Sequence, residues 1–321
     1  MKRYLLLITL LFVTTCCLSA KPLKVMLDWF PNPDHAPLYV AKQQGFFKQH
    51  GIDVELIGPA DPADAVKLVA AGKIDLALTY QPQLVIAVDQ GLPIVRIATL
   101  IATPLNMLTV LKDGPIKDLK DLKDKRIGSA DGVTKHMLLK ALLASAGLTL
   151  DDVDVVNLHY DLTQGLLTGN VAAITGVNRN FELTQMRLAN KPGKGFYPED
   201  YGVPSYDELV IVVNKQHLDD PQLRPFVEAL EEGTLYLINH PQQTWEAFAK
   251  QHPELNNKLN RRAWFDTLPR FALRPGALDI NRYQRFQDFM NEQGLLKNNP
   301  KVKDYAVVLS AKSHSPVDEL G

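Results

Sequence analysis

At 321 residues the chain is long enough for two domains, or three at the short end of domain size. A hydrophobic share of 46% with 22% charged residues excludes a disordered chain, and 35 basic against 36 acidic residues give a net charge of −1, too weak a field to hold a nucleic-acid backbone. The long apolar run Tyr4 to Val13 has ten residues, where a membrane-crossing helix needs roughly 20.

That run follows Lys2 and Arg3 and precedes the mostly small-residue stretch Thr14 to Ala20, the pattern of a secretory signal peptide over residues 1–20. Both cysteines, Cys16 and Cys17, fall within it, so cleavage near Ser19 or Ala20 leaves a mature chain without disulfide or thiolate. A lipid-anchored form, with Cys16 or Cys17 as the acylated first residue, stays open, although Val13-Thr14-Thr15 lacks the usual small Gly or Ala.

After Lys21 short apolar runs alternate with helical stretches. The pattern predicts strand 23–27, helix 35–49 closed by Gly51, strand 52–57, and helix 61–71 with Asp61 as N-cap and Gly72 as stop. Strand 74–78, helix 82–89 and strand 94–101 follow. This order predicts a parallel sheet with helices on both faces. A second series begins with strands at 107–111 and 126–128. It continues with helix 133–146, strand 153–158, helix 162–167, strand 171–175, helix 180–189 and strand 209–213; beyond Pro221 the chain reads as helical to about Gln293. Two α/β units with a helical C-terminal segment account for this better than one large sheet. A weak repeat relates Leu68–Ala77 to Leu166–Ile174: a helix stops at Gly72 or Gly169, a buried strand follows, and a short polar turn ends it. Those turns, Thr79-Tyr80-Gln81-Pro82 and Gly176-Val177-Asn178, lie where open α/β sheets bind ligands, beyond the carboxyl ends of strands.

Sequence signatures for catalysis are lacking. There is no dinucleotide-binding Gly-x-Gly-x-x-Gly after a strand, no phosphate-binding Gly-x-x-x-x-Gly-Lys, no Gly-x-Ser-x-Gly and no His-Glu-x-x-His, and the eight histidines are scattered. Three segments suggest a binding site instead. The stiff loop Asp28-Trp29-Phe30-Pro31-Asn32-Pro33-Asp34-His35 carries an aromatic plate beside hydrogen-bonding groups, suited to stacking a flat heterocycle; a core tryptophan with a capping histidine is the bland alternative. Gly128-Ser129-Ala130-Asp131-Gly132, before a helix, offers backbone N–H groups to an anion or a carbonyl. Tyr201 to Glu208 places two tyrosines and two acids where the chain should return to the first unit.

Leu27-Asp28-Trp29-Phe30-Pro31, His35 with Leu38 to Ala41, Gly45-Phe46-Phe47, Gly72 to Asp75 and Tyr201 to Leu209 together resemble the periplasmic substrate-binding proteins of the SsuA/THI5-like (NMT1/THI5-like) family, which share a fold with the yeast-type thiamin-pyrimidine synthase. The last segment is similar to the formylaminopyrimidine-binding component of thiamin-salvage ABC transporters. The resemblance implies an α/β, two-lobed periplasmic binding protein fold of type II with two crossovers, lobe 1 being 21–103 plus 207–321 and lobe 2 being 104–206. It implies a monomer without cofactor that takes a small-molecule pyrimidine to an inner-membrane ABC permease. The site would comprise Asp28, Trp29 as a stacking face, His35 near the ring, Tyr80, Ser129, Asn178 from the second-lobe turn, and Tyr206 with Glu208 from the crossover. Glu208 would accept from an exocyclic amine and Tyr206 could cover the second face of the ring. In the synthase branch a lysine holding pyridoxal phosphate and a consumed histidine stand where this chain has Thr79 and Gln83, and a cysteine-rich run stands at Tyr206 to Ile211. The competing expectations are a synthase-like enzyme, or a receptor for riboflavin, an alkylsulfonate or another small metabolite.

Overall fold

The computed structural model describes residues 21–61, 63–130 and 136–309. The segment predicted as a signal peptide, with Cys16 and Cys17, and Asp131 and Gly132 of the glycine turn, lie outside the described residues. Among the described residues ten strands form two five-stranded sheets. β1 (Leu23–Met26), β2 (Val54–Ile57), β3 (Leu76–Thr79) and β4 (Ile94–Ile101) belong to the first. β5 (Asn106–Leu111), β6 (Arg126–Ser129), β7 (Asp154–Asn157), β8 (Ala173–Asn178) and β9 (Gly193–Phe196) form the second. β10 (Leu209–Asn214) returns to the first. The orders are β2-β1-β3-β10-β4 and β7-β6-β8-β5-β9. The result is a two-lobed α/β molecule with two crossovers, between β4 and β5 and between β9 and β10.

The parallel sheets that the order of elements predicts are in fact mixed. β10 runs antiparallel to both β3 and β4, and β5 antiparallel to β8 and β9. The crossovers impose this reversal. Each crossing strand enters its sheet from the end where the neighbouring strands leave it, so it must run against them. Each strand then divides its side chains between two faces with a period of two. Leu23, Val25, Leu76 and Leu78 pack with Phe248 and Trp264 on one face of the first sheet. Met26, Ala77, Val210 and Val212 pack with Val69, Leu84 and Phe286 on the other. Burying each such aliphatic side chain contributes about 1.5–3 kcal/mol.

The helices depart from the predicted bounds at identifiable places. The predicted helix 35–49 is two helices, Ala36–Gln43 and Phe46–Gln49, separated at Gly45, which adopts a left-handed φ of 79°. Helix Asp64–Ala70 begins later than predicted, and Asp61 accepts the Ala63 N–H at 2.8 Å in the turn before it. Its stop at Gly72 is a Schellman turn, with Lys73 N–H on the Leu68 carbonyl and Gly72 N–H on that of Val69. The C-terminal helices are Leu223–Asn239, Pro241–Gln251, Lys258–Thr267 and Ile280–Glu292. The first lies on helix Ala36–Gln43, where Gly233 lets the two backbones approach closely.

Polar side chains stitch the crossovers. Glu208 Oε2 accepts the N–H groups of Leu105 and Asn106, at 2.5 and 2.9 Å, and so joins the second crossover to the first. Arg179 donates to the carbonyls of Leu105 and Asn106 and pairs with Glu199; Arg270 donates to Thr103 and the Pro104 carbonyl. Asp207 accepts from Thr99 at 2.6 Å, Tyr283 at 2.9 Å and Arg282 at 3.0 Å.

Candidate functional site

The loop after β1 folds on its own polar groups. Asn32 Oδ1 accepts the Asp34 N–H at 2.8 Å, which starts the short 3-10 turn Pro33–His35. The Asn32 N–H points at His35 Nδ1, 3.3 Å away, which leaves Nε2 to donate to Asp28 Oδ1 at 2.9 Å. Tyr80, at the end of β3, donates its hydroxyl to Asp28 Oδ2 at 2.5 Å. Burial pushes the Asp28 carboxyl up, but the bond from His35, that group's field and the Tyr80 bond outweigh it and hold the carboxyl below its ordinary value. His35 is fully buried beneath this loop. It positions Asp28 instead of reaching a ring in the cleft, the role the resemblance gave it.

Above the loop lies a cavity of about 350 Å³ between the lobes. Asp28, Trp29, Phe30 and Tyr80 line it from the first lobe, Tyr160, Asn178, Phe181 and Glu182 from the second, and Leu255 and Asn260 from the C-terminal helical segment. Its volume lies at the small end of ligand pockets. Trp29 meets Tyr160 edge-on with centroids 4.5 Å apart, and Phe30 lies tilted against the same ring at 4.0 Å. Tyr160 follows β7 through a tight turn in which Asn157 Oδ1 accepts the His159 N–H at 2.9 Å and His159 takes a left-handed φ of 49°. Its hydroxyl donates to the Pro59 carbonyl at 3.3 Å, so the ring bridges from one lobe to the other.

On the inner side of the cavity Asp34 joins the lobes. Asn178 donates to Asp34 Oδ2 at 3.1 Å, while Asn180 donates to Oδ1 at 2.6 Å. Thr267 also reaches Oδ1, at 3.2 Å. The Asn178 N–H in turn donates to Glu182 at 2.7 Å.

Of the residues expected at the site, Asp28, Trp29, Tyr80 and Asn178 come together around this cavity. Tyr206 and Glu208 do not. They line a much smaller neighbouring space with Gln83, Asn106 and Leu138, which among the described residues meets the cleft only at Tyr80. Tyr206 is buried against Phe286, with its hydroxyl 3.3 Å from Glu208. The aromatic facing Trp29 is therefore Tyr160, not Tyr206. Burial pushes the Glu208 carboxyl up, against the Asn106 and Leu105 N–H bonds that pull it down. Ser129 is buried at the end of β6 and does not line the cavity. Thr79 and Gln83 bond to each other at 2.7 Å. Tyr160, Asp34 and Asn180 escaped the sequence reading. Asp34 stood within the loop singled out there; Tyr160 and Asn180 carry no local signal, since docking of the lobes alone gives them partners.

The model of the NMT1/THI5-like family matches residues 32–244. A Haemophilus influenzae chain whose name places it in thiamine biosynthesis is 46% identical over 306 residues, 95% of this chain and 98% of that one. The formylaminopyrimidine-binding protein of Halalkalibacterium halodurans is 30% identical over 79% of this chain and 80% of its own length. A 4-amino-5-hydroxymethyl-2-methylpyrimidine phosphate synthase of Saccharomyces cerevisiae is 24% identical over 76% and 75%. Among solved structures, the alkanesulfonate-binding protein SsuA from Xanthomonas axonopodis pv. citri, bound to MOPS, superposes with a TM-score of 0.71 at 17% identity, covering 90% of this chain and 99% of that one. With the fold, the two crossovers and the inter-lobe cavity in place, the chain belongs to the NMT1/THI5-like family.

Proposed function

We propose that this chain is the substrate-binding component of an ABC importer, exported to the periplasm by residues 1–20, and that it carries a thiamin-precursor aminopyrimidine to an inner-membrane permease. The observation that supports this most is the cavity wall, in which Trp29 and Phe30 of one lobe meet Tyr160 of the other beside hydrogen-bonding side chains. Such a wall buries the face of a flat ring while polar groups read its edge. The lobes are taken as 21–103 plus 207–321 and 104–206, closing about the stitched crossovers.

The described residues of the cavity favour the binding role over synthase chemistry. Pyridoxal phosphate needs an amine for its aldehyde and cations or N–H donors for its phosphate. Thr79 stands at the matching strand end, and among the described residues no lysine or arginine lines the cavity. Isothermal titration against N-formyl-aminopyrimidine, hydroxymethyl-aminopyrimidine, riboflavin and taurine tests the reading. Saturable binding of the aminopyrimidines alone is expected. Binding of riboflavin or taurine alone, or an internal-aldimine absorbance band on adding pyridoxal phosphate, would overturn it.

A further inference from the structure

Beneath the cavity floor the two lobes are pinned by side chains that do not face it. Asn180 of the second lobe and Thr267 of the first are both buried, and neither lines the cavity. Thr267 has one hydroxyl hydrogen, and the Ala263 carbonyl at 2.7 Å is its nearer acceptor, so towards Asn180 the hydroxyl accepts. The Asn180 amide thereby spends both its N–H bonds on the first lobe, one on Asp34 and one on Thr267, each at 2.6 Å. The opposite setting of the amide would turn its oxygen on the Asp34 carboxylate. As set, Asn180 Oδ1 is buried without a partner among the described residues, which costs free energy that water would return on opening. Parting the lobes also gives Asp34 water in place of its amide donors, so the join biases the lobes without locking them. On the outer side half-exposed Phe30 lies against Tyr160, whose hydroxyl holds the Pro59 carbonyl of the other lobe, and this contact covers that side of the cavity.

We infer that Asn180, Asp34 and Thr267 form a latch by which the chain's own side chains hold the lobes together, so that ligand entry and exit wait on its release. Asn180 and Thr267 are positioning residues, acting on the cavity through Asp34, and the Asn178 amide on Asp34 Oδ2 serves the same latch. The inference rests on the binding role proposed above and on no particular ligand. Its kinetic signature differs from that of a ligand contact. A latch made in both the free and the occupied protein stabilises both alike, so weakening it leaves affinity nearly unchanged while a larger share of molecules stands open. Association and dissociation then accelerate together, whereas loss of a ligand contact acts chiefly on dissociation.

Stopped-flow binding of hydroxymethyl-aminopyrimidine to the wild type, Asn180→Ala and Thr267→Val, beside small-angle scattering of each free protein, tests it. Both rate constants are expected to rise about tenfold in Asn180→Ala and less in Thr267→Val, with Kd held within about threefold. Asn180→Asp sets a second carboxylate against Asp34. It should enlarge the radius of gyration of the free protein at unchanged circular dichroism, and weaken binding about tenfold because the open form now predominates. Faster dissociation at unchanged association would overturn the latch in favour of a ligand-side role, and unchanged rates in both directions would overturn it in favour of a purely structural one. Should Asn180→Asp fail to fold, the rates of the other two variants decide. If the wild type binds no aminopyrimidine, the pyrimidine reading falls, and the scattering of the free, folded variants decides the latch alone: expansion over the wild type sustains it, and equal radii overturn it.

Discussion

Asn180 of the second lobe donates to the Asp34 carboxylate of the first at 2.6 Å, and the same amide group lies 2.6 Å from the Thr267 hydroxyl. Asp34 is thus a buried acid on which both lobes meet. Burial pushes its carboxyl above the ordinary 3.8; the Asn180 bond, the His35 field and the Asn178 bond offset only part of this, and nearby Asp28 adds to the rise. An acid whose pKa is raised by folding stabilises the folded state while protonated and loses that contribution as pH climbs through its folded-state value. The wild-type protein is therefore expected to lose stability relative to Asp34→Asn as pH rises above 3.8. Urea unfolding of both proteins at stepped pH measures this; a difference that stays level from there to neutrality would refute it.

Tyr160 lies against both Trp29 and Phe30 and is half-buried in the turn after β7. Tyr160→Ala should weaken binding of any flat ligand by about 1–2 kcal/mol while moving the melting midpoint little. Trp29→Ala should act the same way on all flat ligands, because stacking does not read the ring's edge. Titration of each variant with two unrelated rings separates this from an edge-reading role.

Glu208 presents a sharper choice. Its Oε2 already accepts two buried N–H groups, so Glu208→Ala leaves both without a partner and should cost about 2–4 kcal/mol of stability. Glu208→Gln keeps an accepting oxygen there and should cost about 1 kcal/mol or less. Were Glu208 also the acceptor for a ligand amine, as the family resemblance implies, Glu208→Gln would weaken aminopyrimidine binding by about 1.5–3 kcal/mol at unchanged stability. Denaturant melts beside titrations on the folded variant decide between the crossover role and the ligand role.

Gly233 tests a competition between propensity and packing. Glycine to alanine inside a helix ordinarily gains about 1 kcal/mol. Here an added Cβ would sit 2.6 Å from the Ala41 Cβ and 2.9 Å from the Ala41 backbone, which cannot swing aside. Gly233→Ala is expected to lose about 1–3 kcal/mol net, readable as a lower urea midpoint at unchanged slope.

The sequence was legible where local chemistry decides the outcome. Ile94–Ile101 is a strand and Leu162–Leu167 a helix at the residues expected, because a run rich in β-branched residues and a glycine-stopped turn are short-range signals. β9 went unread because Gly193-Lys194-Gly195-Phe196 has neither alternation nor β-branching. Its glycines answer to distant neighbours, the sulfurs of Met186 and Met107, which would lie 2.7 and 2.8 Å from added Cβ atoms. Strand direction in β5 and β10 was hidden for the same kind of reason, since crossovers set it and not composition. At the site, the loop from Asp28 to His35 announced itself through its prolines and aromatics. Tyr160 and Asn180 acquire meaning only once the lobes face each other.

The place of β10 between β3 and β4 governs how the chain can assemble. β4 sits at the edge of its sheet and has β10 as its ladder neighbour, joined from Leu209↔Ile101 to Asn214↔Ile94. All five strands of the second sheet lie between those partners in sequence, within residues 106–196. The inserted half can therefore complete its hydrogen-bond ladders from an uninterrupted stretch of chain. The first half must wait until residue 214 exists and then close a long loop to seat its third and fourth pairings, a costly, slow event for a non-local contact. In a chain made from its N-terminus, the part that emerges first is the last to finish, and until then β3 and β4 present open edges to whatever else is in solution.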